Sequence, residues 1–578
     1  MIKKMTSSPQ ASASNKPVVA DEYSARPVFW NSERLSLLML VFYATLFVVV
    51  LILPLGILIS RSFTDRNENW VGVTNYTTYF ASPERYTSLS NSIFVSSLTA
   101  LIVTFLAYVF AFALTRTKMP FKPFFKIVGF APLLMPSVIK AISLVYYFGN
   151  QGVFKSWMFG HSIYGPIGIV LGSVIWTFPH VLVILIAAFS MSDGRLYESA
   201  ESLKATKWRI FRTVTLPGTL YGAISAFMVA FILVITDFGV PKVIGGNYNV
   251  LSTDIYKEVV GQQNFSMGAV VSVILLIPAI LAFLIDRQVK NRQRSAMTAQ
   301  STVYEPKKSI VVDSFGFAYC ALITVITVAI VGMAQYASVV KFWPYDLSFT
   351  LDHYQFDVAG AGFDNFFNSL KLALSVSIIG TTLAFVGAYI VEKTKSRLLL
   401  RNIVSAFSMM PIAVPGLVLG LSHLIFINNP SNPLQVLYGG FLILIASTII
   451  HFYTVSHLTA TTSLRQLDPE IESVSLSLKI PLYKSFFRVT LPISIPVLLD
   501  ISIYLFLASM TTVSGIIFLY GPETKVASVA AIHLDEMGET AGAAAMGMLI
   551  VYACLFVRLL YLLLGSWLIK KSQVWRVR

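Results

Sequence analysis

Two charged side chains stand in stretches that are otherwise apolar and broken by proline or glycine: Lys140 closes "MPSVIK", and Asp237 sits within "VITDFGVPKVIGG". An ionisable group in a bilayer-spanning segment is costly and marks function by default. Irregular backbone at that depth is tolerated only where it lines a protein interior or a wet cavity. The chemistry available to the two is electrostatic: their opposite signs suit a zwitterionic cargo, or they pair with each other. His180, Lys371, His451, Asp500 and Arg558 also fall in or at the edge of apolar runs and read as structural partners or interfacial groups. Catalytic chemistry is not spelled out, because no paired carboxylates and no cluster of histidine ligands recur at helical spacing. The reading is therefore a non-enzyme with no metal or cofactor of its own. Cys320 and Cys554 match no metal or disulfide spacing and read as buried small hydrophobes.

A second constellation is polar and occurs twice. "ESAESLKATKWRIFRTVTLPG" runs from Glu198 to Gly218, and "ESVSLSLKIPLYKSFFRVTLPI" from Glu472 to Ile493. Leu203 and Leu478 are 275 positions apart, as are Pro217 and Pro492. Each insert is expected to form a helix, a turn and a second short helix. The second helix carries Trp208, Phe211 and Arg212 in one copy, and Tyr483 and Phe486 in the other. An aromatic pair on a short polar helix buries poorly alone and calls for a partner groove. The alternative is a helix lying on the lipid interface, with Arg209, Arg212 and Lys484 reaching headgroups. Repetition in register, closed each time by Leu-Pro, favours the partner.

The elements that must position these groups are membrane helices. Hydrophobic residues make up 56% of the 578-residue chain and charged residues 12%, so its apolar runs need a bilayer as solvent. Segments such as Leu35 to Ile59 and Gly547 to Ile569 exceed the ~20 apolar residues that span hydrocarbon as a helix, and about twelve such runs occur. The net charge of +15 lies in the loops rather than beside stacking aromatics, which excludes a nucleic-acid surface. Basic residues fill the N-terminal arm, "TRTKMPFKPFFK", "DRQVKNRQRSAM", "EKTKSR" and the C-terminal tail. The positive-inside rule then puts both inserts and both termini in the cytoplasm. The first apolar run lacks a small-residue cleavage site and reads as an uncleaved span.

The chain repeats itself beyond the inserts. "NSIFVSSLTALIVTFLAYVFAFALTRTK" from Asn91 is echoed by "NSLKLALSVSIIGTTLAFVGAYIVEKTK" from Asn368, and the Pro132/Pro136 pair by Pro411/Pro415. The expected organisation is an arm over residues 1–34, a half over 35–286, a flexible linker over 287–310 and a second half over 311–578. Two parallel six-helix repeats imply a pseudo-two-fold axis along the membrane normal, with the pathway between the halves.

These residues resemble the permeases of type I ATP-binding-cassette importers. Their cytoplasmic signature looks like Glu198-Ser199-Ala200, Leu203-Lys204 and Val214-Thr215-Leu216-Pro217 in one half. In the other it looks like Glu472 with Ser473-Val474-Ser475, Leu478-Lys479 and Val489-Thr490-Leu491-Pro492. Both copies carry Lys where the family has Gly. The resemblance implies coupling helices, here Glu198, Ala200, Leu203, Trp208, Phe211 and Pro217, then Glu472, Leu478, Tyr483, Phe486 and Pro492. It also implies two copies of a separate ATPase subunit, a periplasmic binding protein and a location in the bacterial inner membrane. The chain has no Gly-x-x-x-x-Gly-Lys-Ser/Thr run and no Gly-Lys pair, so ATP is the partner's business. Span order and the "TDFGVPKVIGG" segment are similar to fused permeases of the ferric-iron and 2-aminoethylphosphonate subgroup, and the phosphonate branch is the expected cargo, with ferric iron the alternative. A secondary transporter of the major facilitator type shares the span count but has no use for the inserts.

Overall fold

The computed structural model describes residues 32–295, 304–356, 362–394, 397–468, 470–478 and 480–572. The arm through residue 31, the middle of the linker, Lys479, the side chain of Glu472 and the last six residues lie outside that description. The protein is an all-α integral membrane protein. Among the described residues, nine helices are long and apolar enough to cross a membrane, or up to twelve if each of three bent pairs is one span. Counted that way, spans 1–6 are Glu33–Arg61, Pro83–Arg116, Lys122–Leu134 with Ser137–Phe148, Pro166–Ser190, Lys207–Ile235 and Phe265–Lys290. Spans 7–12 are Ile310–Val339, Phe363–Lys393, Leu398–Ala413 with Gly416–Ile427, Phe441–Arg465, Tyr483–Ile493 with Ile495–Thr511, and Thr540–Leu563.

The bends follow from proline. Spans 3 and 9 break by 102° and 112°. In each the residue before proline is extended: Met135 has φ −106° and ψ 136°, and Val414 has φ −100° and ψ 116°. A proline ring excludes the helical conformation for its predecessor, so Pro136 and Pro415 dictate the break. Pro217 and Pro492 act differently. Each follows a widened π-turn, Phe211–Thr215 and Phe486–Thr490, in which the N–H of Leu216 reaches the carbonyl of Phe211 and that of Leu491 the carbonyl of Phe486. The wider turn absorbs a ring that would clash in a regular helix. The Leu-Pro pairs therefore do not end the inserts, as the sequence suggested. The second short helix of insert one is instead the first turn of span 5, which runs unbroken from Lys207 to Ile235.

The first span of each half packs on the other half. Span 1 lies against spans 8 and 9 and span 7 against spans 2 and 3. Tyr43 donates to the carbonyl of Leu383 at 2.8 Å, and His423 donates from Nε2 to the carbonyl of Val50 at 2.7 Å, within a π-turn of span 1. Reciprocally, Tyr319 donates to the carbonyl of Leu106 and Tyr147 to that of Ala329. Phe47 wedges edge-on between Phe407 and Tyr453. Cys320 and Cys554 are fully buried in these apolar contacts.

Each fifth span hands on to a short irregular segment that is clamped in the same way twice. Asn91 donates to the carbonyl of Asn249, and Asn368 to that of Lys525. Ser92 accepts from the N–H of Leu251 and Ser369 from that of Ala527, both at 2.8 Å. Ser252 donates to the carbonyl of Asp237 and Ser528 to that of Thr512, both at 2.6 Å.

Candidate translocation pathway and coupling inserts

Asp237 lies between span 5 and the short helix Gly239–Ile244, just before that helix's cap residue Phe238, and accepts from the N–H groups of Gly239 at 3.3 Å and Val240 at 3.0 Å. A carboxylate at a helix N-terminus is stabilised by the unpaired N–H groups and the helix dipole. Lys140 is one turn into the second piece of span 3, 1% exposed, and donates to the carbonyl of Met135 at 2.9 Å. That carbonyl is left free by the Pro136 break. Both side chains are thus satisfied by backbone at interruptions of the helical ladder, and a direct ion pair between them, one of the two alternatives, is not formed. The two breaks touch where Gly239 lies against Ser137. In the second half the contact is inverted, with Gly416 against Ser514. The positions matching Lys140 and Asp237 there are Leu419 and Thr512, so the charges belong to one half only.

The helix carrying Lys140 faces the other half, since Gly547 of span 12 packs directly on Ile139. A second set of charges crosses the same boundary. Lys242 pairs with Glu536 at 2.6 Å and sits 4.6 Å from the centre of the Tyr256 ring, whose hydroxyl donates to the same carboxylate at 3.4 Å. Sequence reading passed over this set. Lys242 was visible five residues after Asp237, but its partner is 294 positions away.

The other ionisable groups singled out in the sequence lie on other spans than Lys140 and Asp237. Asp500 accepts from the Tyr561 hydroxyl, and Arg558 lies 5.3 Å from that ring. His180 and His451 pack on Trp176 and Phe452. Lys371 is exposed. Among the described residues no group of three or more His, Cys, Asp or Glu could hold a metal ion.

Insert one is a helix, Gly194–Ser202, capped by Asp193, then a turn, then span 5 capped by Thr206. Lys204 adopts φ +54°, the left-handed conformation that favours glycine. The turn closes despite the lysine, with the Ala205 N–H on the carbonyl of Ala200 at 3.0 Å. Insert two repeats that bond from Ile480 to Ser475 at 2.8 Å. Leu203 is 83% exposed, Trp208 70% and Leu478 66%, with Tyr483 and Glu198 also exposed and Ala200 half-buried. The aromatic pairs are not exposed as pairs. Phe211 packs edge-on against Phe112 of span 2, and Phe486 against Tyr389 of span 8 at 4.7 Å. The extra residue of each π-turn shifts the helical phase and turns these rings toward the bundle. The described end of the linker is also held: Tyr304 packs on Tyr197, and Lys307 pairs with Glu201 at 2.5 Å.

Residues 103–295 match the family model described as the binding-protein-dependent transport system inner membrane component. The chain is 25% identical over 504 residues to the ferric transport system permease protein of Actinobacillus pleuropneumoniae, covering 84% of this chain and 72% of that one. It is 27% identical over 455 residues to a Haemophilus influenzae chain assigned provisionally to ferric transport, covering 76% and 71%. A spermidine/putrescine permease of Haemophilus influenzae is 24% identical over 271 residues, covering 44% of this chain and 94% of its own. Residues 103–295 are thus similar to the inner-membrane component of binding-protein-dependent transport systems, and the relatives that the chain resembles are transport permeases rather than enzymes.

Proposed function

We propose that this permease forms the translocation pathway of a binding-protein-dependent importer, that its two inserts seat two copies of a separate ATPase in the cytoplasm, and that its cargo is ferric iron. The observation that carries the coupling is the pair of inserts, equivalent in sequence offset, turn geometry and outward leucine. A secondary transporter has no account of them. The ferric reading draws on the two relatives named for ferric transport, each aligned over three quarters or more of the chain. The phosphonate reading rests on resemblance alone, with Lys140 and Asp237 as groups of opposite sign that suit a zwitterion. Ferric iron is here a substrate handed over by a binding protein and passed on.

Uptake in cells lacking the gene separates the two cargoes. Deletion is expected to lower uptake of radioactive ferric iron more than tenfold and to leave 2-aminoethylphosphonate uptake unchanged; the opposite pattern overturns the ferric reading. A proton uncoupler that stops uptake while ATP is held constant would return the secondary transporter.

Orientation has its own test. Single cysteines at Thr206, Lys484 and Asp352, in a background lacking Cys320 and Cys554, are expected to react with an impermeant thiol reagent on intact cells only at Asp352. Labelling confined to Thr206 or Lys484 reverses the arrangement.

A further inference from the structure

The two halves serve as internal controls for one another, and they differ where the fifth span of each meets the second. In the first half the hydroxyls of Tyr108 and Thr219 are 2.8 Å apart, tying span 2 to span 5. The matching positions in the second half are Phe385 and Ser494. One hydroxyl is missing, and Ser494 Oγ is buried with no hydrogen-bond partner among the described residues. Span 11 bends by 74° at this serine, just before Pro496, whose first-half counterpart is Tyr221. The bend opens a groove of about 430 Å³ between spans 8 and 11, lined by Ser377, Thr382, Phe385, Phe487, Leu491 and Leu498 among others.

We propose that this groove holds an acyl chain of one anionic phospholipid. Ile378 and Phe487, on its walls, are 67% and 62% exposed, so the groove opens to the side of a membrane-spanning bundle, where the surrounding medium is hydrocarbon. Ile378, Phe385, Phe487, Leu491 and Leu498 give it largely apolar walls that suit an acyl chain. At its insert end the chain supplies Lys484 and Arg488, both exposed and both within one turn of Phe487. Two cations at the end of an apolar groove between helices fit a lipid phosphate. The site is independent of the cargo.

Native mass spectrometry of the delipidated full chain, titrated with dioleoylphosphatidylglycerol or dioleoylphosphatidylcholine, tests it. The unmodified chain is expected to retain one phosphatidylglycerol at least fivefold better than phosphatidylcholine. Thr382→Trp fills the groove from an exposed position whose hydroxyl bonds only within its own helix. It is expected to lower retention of both lipids at least fivefold. Phe385→Tyr offers Ser494 the hydroxyl that Tyr108 gives Thr219, and is expected to lower retention with almost no change in volume. Lys484→Gln with Arg488→Gln is expected to erase the preference between lipids. Equal retention of the two lipids by the unmodified chain, the mark of unselective annular lipid, overturns the proposal. So does retention unchanged in both groove variants.

Discussion

Alanine at Leu203, Trp208, Leu478 and Tyr483 together is expected to reduce recovery of the ATPase with the purified permease by more than a hundredfold, while the permease itself stays folded. All four side chains are exposed, and two, Trp208 and Tyr483, are of the aromatic type that dominates interfaces. Truncating a buried anchor costs about 2 kcal/mol or more at such surfaces, and a tenfold loss needs only about 1.4 kcal/mol. Phe211→Ala and Phe486→Ala should behave in the opposite way. Their rings pack on spans 2 and 8, so their loss is expected to cost about 2 kcal/mol of permease stability, less than a fully buried phenylalanine. Co-purification and thermal unfolding on the same preparations separate the two sets. Full recovery with the fourfold variant would remove the inserts from the docking surface.

Gly239→Ser and Gly416→Ser are each expected to cripple uptake, and each to be rescued by a second change already present in the other half. A Cβ on Gly239 would lie 2.1 Å from Ser137 Oγ, and one on Gly416 would lie 2.3 Å from Ser514 Oγ. Overpacking of this kind costs about 1–3 kcal/mol. Ser137→Gly combined with Gly239→Ser gives the first half the arrangement of the second. Ser514→Gly combined with Gly416→Ser does the converse. The double variants are expected to recover most of the melting temperature and uptake lost by the singles. If they do not add in this way, the contact between the two helix breaks is not what limits the glycines.

Much of this was legible because it is local. Proline four residues after proline announces the breaks of spans 3 and 9, apolar runs announce the spans, and a constant offset announces the repeat. Pro496, without a counterpart at Tyr221, equally foretells the bend of span 11 to a reader who compares the halves. What stayed hidden depends on phase or on distance. Phe211 and Phe486 carry the same local pattern whether the preceding turn holds four residues or five, and only the proline beyond it selects the π-turn that turns them inward. The Lys242–Glu536 pair and the Tyr43–Leu383 contact join residues hundreds of positions apart, with nothing in their neighbourhoods to name the partner.

The reciprocal placement of spans 1 and 7 bears on how such a chain can come apart. Neither half is a closed body, because each has its own opening helix lodged on its neighbour through bonds such as Tyr43 to Leu383 and Tyr319 to Leu106. Two unfused six-helix chains would already clasp each other in this way, so covalent joining adds proximity rather than a new interface. Severing the backbone between residues 296 and 303 should therefore yield a nicked but intact particle, whereas either piece made alone has an empty berth and an unhoused helix.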